Sequence, residues 1–314
     1  MLYYNNQQYP TRLLTMRTKS GLLIIRRNNL KKPHQTPISI SKQIENLISL
    51  GLEIEDKDYA KSVLNRISYY RLIKAYSVTL KENGKYIDGT TFENIVDLYL
   101  FDMEFRHILF SLIEHIEVHL RAVITNYFSL KYGNFGYKDL NNFKKKNFQK
   151  STIKELEREI KRNKKSPFIH NFKENYEGGE IPFYGAIEVA SFGTLSKMYK
   201  NMENEDKKEI AKEFEVDYIY LESWIENLSY VRNICAHYGR LYGAKLTKTP
   251  KLYKEYLRQG ISNNTIFANI INLKILAEDD YYDKFHTDLL ELINKYQSVD
   301  LKHLGFIEKW KSIL

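Results

Sequence analysis

Three side chains near residue 235 have the types that move protons beside a phosphate: Arg232, Asn233 and His237. An imidazole changes charge near neutral pH and can give or take a proton, a guanidinium is a fixed cation, and an amide can hold a ring nitrogen or a phosphate oxygen. On a helix Asn233 and His237 stack as an i, i+4 pair. Arg232 lies roughly 140° around the axis from His237 and reaches back only through its long stem. With 8 His in 314 residues, an Arg–x4–His spacing arises by chance roughly one time in three. Two readings therefore stand at this point: a proton-transfer site, or a capped helix end with His237 hydrogen-bonded in the core.

The element that must position these groups is a long helix. Tyr218, Leu221, Trp224, Ile225, Leu228, Val231 and Cys235 recur every three or four positions, the period of a buried helical face. Asp217 is the expected N-cap and Gly239 the expected C′ residue, on what reads as the most amphipathic helix of the chain. Cys235 lies inside the Arg–His spacing but on the apolar face, so it reads as core packing. It is the only cysteine, which excludes disulfides within the chain and cysteine-based zinc sites.

The run Leu228-Ser229-Tyr230-Val231-Arg232-Asn233-Ile234-Cys235-Ala236-His237-Tyr238-Gly239-Arg240-Leu241-Tyr242 resembles the C-terminal signature of bacterial abortive-infection proteins of the AbiD/AbiF type. Its Arg-Asn-x-x-x-His core is similar to the motif of HEPN ribonucleases. Three earlier blocks resemble the same family. These are Ser68-Tyr69-Tyr70-Arg71-Leu72 with Tyr76, then Thr91-Phe92-Glu93 leading to Leu98-Tyr99-Leu100-Phe101-Asp102 and Arg106, and the Pro182-Phe183 to Ser191-Phe192-Gly193-Thr194-Leu195-Ser196 segment. The first block reads as tyrosine packing between helices, and Gly193 as a point of close backbone approach in a tight loop. Gly243 stands where the family commonly has Asn.

The resemblance implies an all-α, HEPN-like helical bundle over about residues 37–245, and an endoribonuclease that needs no metal and no cofactor. Arg232, Asn233 and His237 would be catalytic. Glu117, Arg121, Tyr238 and Arg240 would support them, Glu117 and Arg121 from a helix packed on the signature helix. Taken alone, Glu117 and Arg121 read as an i, i+4 surface pair. The resemblance further implies a homodimer with a composite site, and restraint by a structured non-coding RNA. The alternatives are a non-catalytic RNA-binding module and an effector acting through protein contacts.

Charge supports a polyanionic partner, RNA first. Residues 1–36 carry seven Lys/Arg and no acid, and residues 144–165 carry ten Lys/Arg against three Glu. Together these stretches hold +14 of a net +9, so the remainder is mildly acidic. The expected RNA contacts are Arg26, Arg27, Lys31 and Lys32 in a mobile N-terminal arm. In a basic insert at about 134–180 they are Lys144, Lys145, Lys146 and Lys150, then Arg158, Lys161, Arg162, Lys164 and Lys165. Solvated lysine-rich faces would look the same.

Glu155 to Lys165 is expected to be helical, with Ser166-Pro167 as a breaker. Elsewhere the pattern predicts a helix after Ser39 with Ile44, Leu47 and Ile48 on one face, and one or two helices from Asp56 to Leu80. The longest helix runs from Thr90 or Thr91 to Tyr132 and stops at Gly133. Extra C-terminal helices fill 246–314. Arg27 and His34 repeat an Arg–x6–His spacing, but Pro33 disfavours a helix there. His107, His115 and His119 look like a ligand ladder without the partners that complete a metal site. No run approaches the ~18 apolar residues of a membrane span, and a cytoplasmic protein is expected.

Overall fold

The computed structural model describes residues 14–18, 21–25 and 36–314. Arg26, Arg27, Lys31 and Lys32 lie outside them. Within the stretch expected to be an arm, Leu14–Thr18 (β1) and Gly21–Ile25 (β2) pair antiparallel, with Leu14 opposite Ile25 and Thr18 opposite Gly21. Two compact units divide between Val96 and Asp97.

In the first unit, Ile40–Ser49 (α1) packs on Lys57–Arg66 (α2). Ser39 and Asp56 cap them by accepting from Lys42 N and Tyr59 N. Ile44 and Leu47 are buried, but Ile48, expected on their face, is exposed. The tyrosine-rich block forms a π-helical turn over Tyr70–Lys74. Tyr76 packs there as expected, beside Leu72 and Ile73, and Tyr69 is half-buried, while Tyr70 points outward at 76% exposure. A short hairpin, Lys81–Glu82 (β3) with Lys85–Tyr86 (β4), follows.

Phe92–Tyr132 (α3) is the long helix expected from the sequence. Thr91 and Asn94 cap its start reciprocally: Thr91 Oγ1 accepts from Asn94 N and Asn94 Oδ1 accepts from Thr91 N. Gly133 ends it at φ +73°, the left-handed region that glycine enters without penalty.

The second unit is helical throughout. Its elements are Lys146–Arg162 (α4), Pro167–Asn175 (α5), Phe183–Val189 (α6), Phe192–Asn201 (α7), Asn204–Lys212 (α8), Tyr218–Ala236 (α9), Lys254–Arg258 (α10), Ile266–Leu276 (α11) and Asp279–Lys295 (α12). The fold is all-α, as predicted. α9 packs against α7, α8 and α11. Leu221, Trp224, Ile225, Asn227, Leu228, Ser229, Val231 and Cys235 bury it over more than half its circumference. It is therefore a core helix and not the most amphipathic one, a correction to the sequence reading. α1 is more one-sided.

The basic stretch is helical over a longer run than expected. The break expected at Ser166-Pro167 separates α4 from α5, with Ser166 at the N-cap position of α5 and the proline in its first turn, where proline is tolerated. α4 packs on α6 and α7 through its inner face, where Gln149, Thr152 and Leu156 are buried. Its lysines lie on the outer face. α8 is tied to the end of α3 by Asp206, a buried carboxylate that accepts from Tyr127 and Tyr132 hydroxyls at 2.9 Å and pairs with Lys131.

Leu156, at 1% exposure, distinguishes a packed α4 from a solvated appendage. Leu156→Ala is expected to destabilise the chain by about 2–4 kcal/mol in urea denaturation. A loss below about 0.5 kcal/mol, typical of a surface change, would contradict the packing.

Candidate active site

Asp217 caps α9 by accepting from Ile219 N at 2.8 Å, as expected. The far end carries the three candidate catalytic residues. Arg232 and Asn233 lie in the last turn, and His237 is the C-cap, its N–H bonded to Asn233 O at 3.1 Å. Asn233 and His237 are exposed, and among the described residues neither side chain is held by a hydrogen bond or ion pair. The reading in which His237 is satisfied inside the core is therefore overturned.

The helix ends differently from the sequence expectation. Tyr238, not Gly239, adopts the left-handed conformation, with φ +58°. The N–H of Gly239 closes on Ile234 O at 2.8 Å and that of Tyr238 on Cys235 O at 3.3 Å, the Schellman pattern shifted by one residue. Glycine is needed at 239 for space: a Cβ there would sit 2.8 Å from Ile234 Cγ2 and 3.1 Å from Ile234 O. A left-handed non-glycine residue is uncommon and tends to mark a site where the surroundings hold it. Tyr238 presents its ring to solvent at 69% exposure.

Arg232 is fixed from α3. Its Nε lies 3.4 Å from Oε2 of Glu117, close enough to pair electrostatically but outside hydrogen-bond geometry, so this buried Nε has no hydrogen-bond partner. Its guanidinium carbon lies 5.4 Å from the Phe110 ring centroid, a cation–π distance. Arg121 pairs with Oε1 of the same carboxylate. It also donates to the carbonyls of Ile187 and Ala190, the latter at 2.8 Å. A guanidinium there neutralises the negative end of α6. Glu117 and Arg121 are thus not a surface pair: their side chains are 9% and 12% exposed. Glu117 lies between Arg121 and Arg232.

A second carboxylate holds the chain after α9. Asp102, fully buried, pairs with Arg106 and accepts from Leu241 N at 3.1 Å and Tyr242 N at 2.7 Å. Sequence reasoning placed Asp102 and Arg106 in a family block without a role. Arg240 precedes the anchored residues and is half-buried. Ser191 caps α7 by accepting from Thr194 N at 3.2 Å. Gly193, expected to permit close approach, has room for a Cβ at 3.7 Å from Ser229 Oγ.

Burial pushes the Cys235 thiol up to about 12, so it is a packing residue and not a nucleophile. His115 stacks on Tyr281 with ring centroids 3.3 Å apart, and His119 lies against Phe214. These two imidazoles pack on aromatic rings while His107 is exposed, and no group of His, Cys, Asp and Glu suited to a metal ion occurs among the described residues. The candidate RNA contacts from Lys144 to Lys165 are all exposed, far along the chain from Glu117 and His237. Among the described residues no helix is long and apolar enough to cross a membrane.

An all-α chain in which one helix end presents an arginine, an asparagine and a histidine, braced by buried carboxylates, is the class that fold and site define. The model of the family described as Abi-like protein matches residues 62–243, more than half of the chain and all four blocks noted above. The chain belongs to that family, whose name points to abortive infection, a form of phage defence. No curated protein and no solved structure matches it significantly.

Removing the shared carboxylate leaves two guanidiniums without their counterion. Glu117→Ala is expected to cost about 3–5 kcal/mol in denaturant unfolding, as for other broken buried pairs. A cost under about 1 kcal/mol, the range of exposed pairs, would show that the carboxylate does not brace the site.

Proposed function

We propose that this chain is a metal-independent endoribonuclease of the HEPN type that acts in abortive infection as a homodimer. The observation that carries the reading is an exposed imidazole at the end of α9, five residues beyond an arginine braced by a buried carboxylate. RNA supplies its own nucleophile, the 2′-hydroxyl that DNA lacks. One His237 takes the 2′-OH proton as the 2′-oxygen bonds to phosphorus. The P–O5′ bond breaks, and a second His237 returns a proton to the departing 5′-oxygen. Arg232 stabilises the charge that builds on the phosphorane oxygens, and Asn233 holds the imidazole or a phosphate oxygen. The products are 2′,3′-cyclic phosphate and 5′-hydroxyl ends.

The chain has one credible Arg–x4–His motif, and two imidazoles serve the two proton transfers best. An isologous contact between two copies would bring the exposed α9 ends together. The outward lysines of α4 supply a surface for an RNA backbone, both for substrate and for a structured non-coding RNA that restrains cleavage.

Total RNA incubated with wild type and His237→Ala in EDTA, with cut ends mapped, tests the reading. Wild type is expected to give cyclic-phosphate ends. His237→Ala should be slower by about 10²–10⁴-fold with unchanged thermal melting. Cleavage that persists in the variant, or none by wild type, would contradict the reading. Full activity in a species that sediments as a monomer would remove the composite site.

A further inference from the structure

α9 has a second end, and a different cavity opens beside it. The first turns of α4 and α9, the last turn of α7 and the start of α8 enclose a cleft of about 590 Å³, within the ~300–1,000 Å³ range of ligand sites. Among the described residues its cationic groups are Lys144, Lys145, Lys200, Lys207 and Lys251, and the acids on its walls are Glu222 and Glu226. Both acids are engaged. Glu222 pairs with Lys207, whose side chain is 3% exposed. Glu226 takes Lys200 at 2.8 Å and Lys248 at 2.9 Å. Lys145 and Lys251 have no carboxylate partner among the described residues.

Lys144 reaches Asn204 Oδ1, and desolvation, then the nearby Lys207, hold its ammonium below the usual lysine range; a bound anion would offset the repulsion between these two cations. The first turn of α4 contains no acid, and its N-cap residue Lys145 makes no side-chain cap, so the positive end of the helix dipole is not neutralised there. Two aromatic rings complete the lining. Phe148 is 37% exposed, and Tyr218 lies with its centroid 5.3 Å from Lys207 Nζ. Lysines as point charges suit phosphate oxygens, and an accessible aromatic face suits a nucleobase. An acidic peptide would use the lysines but leave the rings idle.

We propose that this cleft is a second, non-catalytic site that binds a nucleotide through its phosphates, whether free or as a unit of an RNA strand. Along α9 the cleft is lined from Tyr218 to Glu226, so its nearer edge lies about 16 Å from His237 at ~1.5 Å per residue. The cleft and the exposed imidazole are therefore separate places on α9, and binding here is tested apart from the cleavage reaction.

The test is calorimetric titration at low salt with two probes, ADP and 5′-phosphorylated diuridylate carrying uncleavable 2′-O-methyl groups. Wild type, His237→Ala, the pair Lys145→Gln with Lys251→Gln, and the charge-retaining pair Lys145→Arg with Lys251→Arg are compared. Wild type and His237→Ala are expected to bind within about twofold of each other. The glutamine pair should lose about tenfold or more in affinity, and the arginine pair should recover it. ADP binding as tightly as the dinucleotide identifies a free nucleotide, and binding of the dinucleotide alone identifies a strand; both support the site. Absence of binding by either probe, unchanged binding in the glutamine pair, or loss of binding in His237→Ala would overturn it. None of these outcomes bears on the cleavage of total RNA, so the two proposals fail separately.

Discussion

One buried carboxylate, that of Glu117, determines how the rest of the site stands. It receives Arg121 on one oxygen and faces Arg232 with the other. Burying an anion is costly unless cations compensate it, and here the two cations come from different places. Arg121 lies on α3 and reaches the carbonyl end of α6, whereas Arg232 lies on α9. The need to neutralise a single carboxylate therefore fixes α3, the α6–α7 corner and the end of α9 against one another. The Nε of Arg232 remains without a hydrogen bond, so its guanidinium is held by charge and by the Phe110 face. Such a cation is placed while part of its side chain stays open to solvent.

Asp102 plays the equivalent part for the chain beyond the helix. By accepting two consecutive amides, at Leu241 and Tyr242, it ties that segment to α3. Between the two carboxylates the chain passes through Tyr238 in a left-handed conformation and Gly239 packed on Ile234. His237 sits at the turn itself, exposed, between these anchored segments. The two ends of α9 thus divide the labour proposed above, with proton transfer at the C-terminal end and phosphate capture at the N-terminal end. A helix packed on α7, α8 and α11 is the element that separates them.

Periodic features were legible in the sequence. The apolar spacing that defines α9, its Asp217 cap, and the start and stop of α3 at Thr91 and Gly133 all follow from local rules that the structure obeys. Features set by tertiary contact were not legible. Glu117 and Arg121 read locally as a helix-surface pair, because nothing nearby in sequence shows that Arg232 and the carbonyl of Ala190 close over them. α9 reads as one-sided because Asn227 and Ser229 are polar, yet both are buried among neighbouring helices. Gly239 is the obvious left-handed residue by type, but the space beside Ile234 requires the glycine and the turn falls on Tyr238. The cleft is assembled from α4, α7, α8 and α9, and no single stretch reveals it.

The bracing of Arg232 by Glu117 is tested most directly by steady-state RNA cleavage with Glu117→Gln, which keeps the shape and removes the charge. If the carboxylate positions the guanidinium for the phosphorane, kcat falls by about tenfold or more while KM stays near wild type, the pattern of an interaction made only in the transition state. A variant that melts like wild type and cleaves with unchanged kcat would contradict the account.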